Sequence, residues 1–175
     1  MAKINTVNHP PNRLERQLDR LVDVPAFART WYQGVVLRRA VPFTGTAGLD
    51  FLRMRRELVE IGLKNEKKVQ NHIGGIHASA MNLLAETATG MVVGMNVRDD
   101  CTPLAKELKM AFKKRATGAL RAVATLSDEQ RAAMQASDKG EVTVPVTVLD
   151  EAGVNPVECE FVWAWIPSGP RKQVP

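Results

Sequence analysis

The sequence predicts an α+β domain: a mostly antiparallel sheet of five or six strands wrapped around one apolar helix, with additional helices at the N-terminus. Three observations carry this expectation. Apolar and polar residues alternate in several stretches, most clearly where Val142, Val144, Val146 and Val148 interleave with Glu141, Thr143, Pro145 and Thr147. That two-residue period marks a half-buried strand. Between Gly75 and Gly90 runs a proline-free segment rich in Ala, Leu and Met, read as a single central helix. Its small residues Ala78, Ala80, Ala85 and Ala88 would let a sheet close around it. Finally, 175 residues with 45% hydrophobic and 25% charged side chains match an ordinary globular domain, large enough to need neither disulfide nor metal to stay folded.

The elements follow in order. Asn12 can cap a helix with Glu15 three residues on, and Leu14, Leu18, Leu21 and Val22 recur at helical spacing. Pro25 punctuates, Phe27, Trp31 and Val35 form a second apolar stripe, and Pro42 with Gly45 and Gly48 ends the helical region. A strand is expected where Val59, Ile61 and Leu63 alternate with Glu60, Gly62 and Lys64. Beyond the central helix, Met91, Val93, Met95 and Val97 resume the strand period, as do Leu108, Met110 and Phe112, and then the stretch from Leu120 to Leu126. Ser127 with Gln130 gives a second capping signature, opening a short helix to about Ser137. Pro145 cannot donate to a ladder, so it belongs at a sheet edge or bulge. Asp150 to Gly153 reads as a turn and Val157 to Ile166 as the returning strand. The expected organisation is a helical extension over 1–40, a sheet-and-helix domain over 41–166 and a tail over 167–175.

Composition narrows the function classes. No apolar run approaches the roughly 20 residues that span a bilayer, and Met1 to Asp23 lacks the apolar core of a signal peptide. The expected setting is cytoplasmic, away from membranes. Cys101 and Cys159 form neither a disulfide framework nor a metal-ligand spacing. A net charge of +5 suits an anionic partner, yet aromatics at 5% provide little stacking surface for single strands, so no nucleic-acid partner is expected.

The chemistry concentrates in Asn71-His72-Ile73-Gly74-Gly75-Ile76-His77-Ala78-Ser79, a polar glycine-containing turn that leads into the central helix. A helix N-terminus presents unpaired N–H groups and partial positive charge, which can stabilise an oxyanion during acyl transfer. Glu86 lies further along among Leu83, Leu84, Ala85 and Ala88. Partial desolvation there would raise its pKa toward that of a general base. His77 and Glu86 are nine residues apart, which at about 100° per residue puts them on opposite helix faces. A site using both needs two copies of the helix. Taken alone, Glu86 reads as a solvated helix residue beside Ser79, Asn82 and Thr89, His77 as a cap or core histidine, and Asn71 as a support of the turn. His72, His77 and Glu86 do not make a metal spacing, so no metal is expected. Ser79 is outside a Gly-x-Ser-x-Gly elbow, and no phosphate-cradling loop is present. The run Lys113-Lys114-Arg115 could meet phosphate, although such a run is ordinarily a solvated strand end.

The pattern Asn71, Gly74, His77, Leu84 and Glu86 resembles the signature of hotdog-fold acyl-CoA thioesterases, in particular the phenylacetate-pathway type. In that family an Asn-x-x-Gly-x-x-His-Gly-Gly turn enters the central helix, and an acid follows nine residues after the His. This chain has Ala78 and Ser79 in place of the two glycines and Glu in place of Asp. The resemblance spans roughly Val41 to Ile166, and Val41-Pro42-Phe43 sits where thioesterase-like relatives with an N-terminal extension carry the same tripeptide. It implies that Glu86 activates water or attacks the thioester, that the Ala78 N–H is the oxyanion donor, and that Asn71 and His77 position water or carbonyl. It further implies an acyl-CoA substrate with no separate cofactor, CoA bound along a dimer groove, and a homodimer or dimer of dimers.

Two rivals stand beside hydrolysis. A hotdog dehydratase acting on 3-hydroxyacyl thioesters would use the fourteen-residue spacing of His72 and Glu86, but the Phe-Pro-Gly stretch of that family is missing here. A non-catalytic acyl-CoA-binding module would share the pocket, and Ala78 with Ser79 in place of glycines is the feature that suggests it.

Overall fold

Asn12 ties the first helix to the central one. Its Oδ1 accepts the Glu15 N–H at 3.0 Å, and its side-chain nitrogen donates to the Gly94 and Val97 carbonyls at 2.8 Å each. The expected cap is therefore present, but the Glu15 carboxylate pairs with Arg56 instead of closing a capping box. The computed structural model describes residues 10–19 and 26–169. Leu21, Val22 and Pro25 lie outside the described residues, as do the side chains of Phe27 and Trp31.

Three helices precede the sheet: α1 (Arg13–Asp19), α2 (Ala26–Ala40) and α3 (Pro42–Ala47). Pro42, expected to end the helical region, instead opens α3 from its first turn, where its missing N–H costs nothing. Gly48 then closes α3 in the left-handed region with φ of 77°. The strands are β1 (Asp50–Met54), β2 (Leu58–Leu63), β3 (Cys101–Phe112), β4 (Leu120–Thr125), β5 (Gly140–Val144), β6 (Val146–Asp150) and β7 (Val157–Pro167). Helix α4 (Ala78–Gly94) lies between β2 and β3, and α5 (Asp128–Ala136) between β4 and β5. Ser127 and Gln130 close a full capping box at the start of α5, as their spacing predicts.

All strand pairings are antiparallel, in the orders β1-β2-β4-β6 and β3-β7-β5. The single strand expected over Val142–Val148 is two arms hinged at Pro145: β5 pairs with β7, and β6 pairs with β4. Proline interrupts the ladder there, and the chain passes from one sheet to the other, so the two sheets form one surface wrapped around α4. Val59, Ile61 and Leu63 of β2, Ala122 and Ala124 of β4, and Val144 and Val148 on either side of the hinge all point into the core against Leu84, Ala85, Ala88 and Val92 of α4.

One expected strand is a correction. Met91, Val93, Met95 and Val97 are not extended: α4 continues to Gly94, and Met95 and Val97 follow in the turn that ends it. A helix enclosed by sheet is apolar on several sides, so Val92 is as buried as Val93, and alternate apolar residues carry no strand information there. Gly90 lies inside α4, and the Trp163 ring occupies the space where a side chain would go. Trp163 is anchored by a hydrogen bond from its Nε1 to the buried Thr89 Oγ1 at 2.9 Å. Thr89, expected on a wet stripe with Glu86, is therefore a core residue.

Candidate active site

The approach to α4 is organised by Asn71. Its Oδ1 accepts the Ile73 and Gly75 N–H groups at 3.1 Å each, while its backbone N–H donates to the Gly75 carbonyl at 2.8 Å. Gly74 has φ of 77°, a backbone region where glycine is strain-free. The carboxamide oxygen of Asn71 thus supports the turn, while its amide nitrogen has no partner among the described residues.

His77 is the N-cap of α4. Its Nδ1 accepts the Ser79 N–H at 3.1 Å, and its carbonyl accepts from Ala80 and Met81. With Nδ1 accepting, the neutral ring carries its proton on Nε2. The cap satisfies the amide of Ser79 and leaves that of Ala78, the first residue of α4, without a partner among the described residues. A helix start with one free N–H is an anion-stabilising feature.

Glu86 lies two turns along α4 and is half-buried; burial alone raises its pKa above that of an ordinary glutamate. It opens into a cleft of about 410 Å³ whose walls include Ala78, Phe43, Leu108, Met110 and Phe112. The β3 side of this cleft depends on a bulge. Between Ala105 and Glu107 the register with β7 shifts by one residue, which turns Leu108, Met110 and Phe112 toward α4 and Leu104 outward. Leu108 and Phe112 remain 40% and 53% exposed. Nothing in the described chain covers this half of β3, which is also the free edge of its sheet.

Asn71 faces a neighbouring cleft of about 260 Å³ that meets the Glu86 cleft at Ala78 and Phe112 and has Lys114 and Arg115 at its rim. Lys113, the third member of the basic run, instead pairs with Glu158 at 2.9 Å. His77 lines a third cleft of about 230 Å³ with Lys68 and Thr46. Ala78 is therefore brought together with Glu86 on one side and Asn71 on the other, while His77 looks elsewhere, as the nine-residue spacing requires. Even so, Ala78 and Glu86 of one chain are eight residues apart on a helix, an axial rise of about 12 Å, too far for both to touch one carbonyl. Phe43 and the Leu108–Met110–Phe112 wall were not among the candidates. The wall residues are legible in the sequence only as a strand face, and Phe43 only as the last residue of the Val41-Pro42-Phe43 stretch that marks the resemblance.

Cys159 is half-buried on β7 and burial pushes its thiol up to about 11, which keeps it protonated near neutral pH. Among the described residues no group of three or more His, Cys, Asp or Glu gathers to hold a metal ion, and no helix is long and apolar enough to cross a membrane.

The model of a domain of unknown function, DUF4442, matches residues 29–166, most of the chain. The chain belongs to the DUF4442 family. No curated protein matches it in sequence. Solved structures similar to this DUF4442 chain include a protein of unknown function from Pseudomonas aeruginosa described as a probable thioesterase, at 22% identity and a TM-score of 0.72, covering 79% of this chain and 96% of that one. Another is a mutant thioesterase from Staphylococcus aureus, at 17% identity and a TM-score of 0.60, covering 72% and 99%. A third is a thioesterase from Haemophilus influenzae, at 12% identity and a TM-score of 0.58, covering 71% and 82%. These likenesses establish the fold: the DUF4442 chain has the hotdog fold of thioesterase-family proteins, as its sequence resemblance implies.

Proposed function

We propose that this DUF4442 protein hydrolyses the thioester of an acyl-CoA. The observation that carries the reading is a half-buried carboxylate on an apolar-walled cleft together with a helix-start N–H that has no partner among the described residues, two groups that two copies of the chain bring to one thioester. In this reading the thioester carbonyl accepts a hydrogen bond from the Ala78 N–H. The carboxylate of Glu86 takes a proton from water as that water adds to the carbonyl carbon. The tetrahedral oxyanion is held by Ala78, collapse expels the CoA thiolate, and Glu86 returns its proton to the leaving sulfur; direct attack by Glu86 gives the same products through an anhydride that water then opens. Because about 12 Å separates the two groups within a chain, Glu86 comes from a second copy, and the free edge of β3 is where that copy docks. Asn71 and His77 hold the turn and cap that expose the Ala78 N–H, and the amide nitrogen of Asn71 can meet the substrate. Lys114 and Arg115 are the cations available to CoA phosphates.

The test is thiol release from a panel of acyl-CoAs by wild type, Glu86→Gln and Ala78→Pro. Proline is well tolerated at a first helical position, and His77 has the extended backbone (φ −66°, ψ 143°) that a following proline prefers. Ala78→Pro therefore removes the donor and little else. Removing one oxyanion donor costs about 10²–10³ in kcat, and losing the base about 10²–10⁴. Turnover unchanged in both variants would overturn the assignment. Acyl-CoA binding without turnover in wild type would replace it with the non-catalytic binding module.

A further inference from the structure

Phe43 is the feature of this region that the catalytic reading leaves unused. It stands on α3 at 61% exposure, an aromatic ring largely open to solvent between two clefts. It is held there firmly: Thr44 beside it is buried, with its hydroxyl bonded to the Val41 carbonyl at 2.7 Å, and Ala47 is buried one turn on. The Glu86 cleft and the His77 cleft share three wall residues, Phe43, Ser79 and Leu83. Ser79 and Leu83 belong to α4, which both clefts must border. Phe43 is the only shared residue from outside α4, so its ring is the partition between the two spaces.

We infer that Phe43 is the acyl-length determinant of this site: it is an end wall that keeps the acyl chain in the Glu86 cleft and out of the neighbouring His77 cleft. The inference rests on the proposed thioesterase reading and adds its substrate selectivity. The Glu86 cleft offers an acyl chain Leu108, Met110 and Phe112, all apolar, whereas its exit past Phe43 leads to a space of about 230 Å³ with an apolar floor of Ala47, Val69 and Leu83. That space is roughly eight water-sized volumes, room for several methylene groups. Helix α3 thereby sets selectivity although the catalytic groups all lie on and before α4.

The experiment measures kcat/KM across saturated acyl-CoAs of rising chain length for wild type, Phe43→Ala and Phe43→Trp. In parallel, affinity is measured for the corresponding thioether analogues, which cannot be hydrolysed. Because Phe43 packs little surface, both variants should keep the wild-type melting temperature. Phe43→Ala is expected to move the optimum to longer chains, with the longest substrates gaining on the order of tenfold relative to the shortest, and Phe43→Trp to move it the other way. A profile unchanged in both variants, with turnover intact, overturns the partition and leaves the thioesterase standing. A shift in analogue affinity without turnover in any protein supports the partition and overturns the hydrolase. Neither binding nor turnover overturns both.

Discussion

If Ala78 and Glu86 act on one thioester from different copies of the chain, two inactive variants should rescue each other. The perturbation is co-expression of Ala78→Pro with Glu86→Gln under separate affinity tags. Eight helical residues between the two positions give about 12 Å of rise and about 80° of rotation, whereas a carbonyl being attacked holds its donor and its nucleophile each within about 3 Å. The proposed geometry therefore divides the two groups between copies. In a two-fold dimer each site combines Ala78 of one copy with Glu86 of the other. A mixed dimer therefore has one site with both groups intact and one with neither. Random pairing makes half of the dimers mixed, so the unfractionated pool should recover about a quarter of wild-type kcat per chain, and doubly tagged dimers about half. Each variant purified alone should retain 1% or less, on the order of the losses expected for an oxyanion donor or a base. The readout is thiol release at saturating acyl-CoA. Recovery no greater than the sum of the single variants would refute the cross-copy geometry, and a single-chain species in light scattering would refute it independently.

Other consequences follow from individual contacts. Gly90→Ala would place a methyl 2.6 Å from the Trp163 ring, so α4 or the ring must yield about 0.8 Å; overpacking of about 1–3 kcal/mol outweighs a helix-propensity gain of up to about 1 kcal/mol. Melting should fall by about 3–6 °C, activity should fall with it because Glu86 is one turn away, and Trp163→Phe in the same chain should restore much of the loss. Asn12→Asp keeps the cap on α1 but turns a donor into a carboxylate facing the Gly94 and Val97 carbonyls. Urea unfolding should show a loss of about 2–3 kcal/mol, no better than Asn12→Ala, whereas near-wild-type stability would reduce Asn12 to a simple cap. Burial raises the pKa of Glu86, so its contribution to stability is complete below its unfolded pKa and is lost as pH rises through the folded value. Glu86→Gln should therefore melt at or above wild type near neutral pH, with the difference vanishing toward acid. The kcat/KM of wild type should rise with pH through a midpoint above that of a free glutamate, and an ordinary glutamate midpoint would remove the desolvation argument.

Much of this protein is legible along the chain because the information is local. The strand faces of Val59–Leu63, Leu120–Leu126 and Val157–Ile166, the Ser127–Gln130 capping box and the Asp150 turn each depend on neighbours a few residues away, and each appears where its pattern places it. The Asn71 turn and the helix start at Ala78 belong to the same class, and so does the opposed placement of His77 and Glu86, which follows from helical period alone. Four features required the folded chain. The alternation of Met91–Val97 is an accident of a helix so enclosed near its C-terminal end that several faces there are apolar, and only the wrapped sheet shows that enclosure. The hinge at Pro145 and the bulge after Ala105 depend on which strands lie alongside, a matter of pairing energy that no single strand encodes. The walls of the Glu86 cleft, Phe43 from α3 and Leu108, Met110 and Phe112 from β3, come from segments more than sixty residues apart. The sequence carries which groups could do chemistry, because spacing on a helix is a local quantity; the tertiary structure decides what they face, because desolvation and cavity shape arise only where distant segments close on one another.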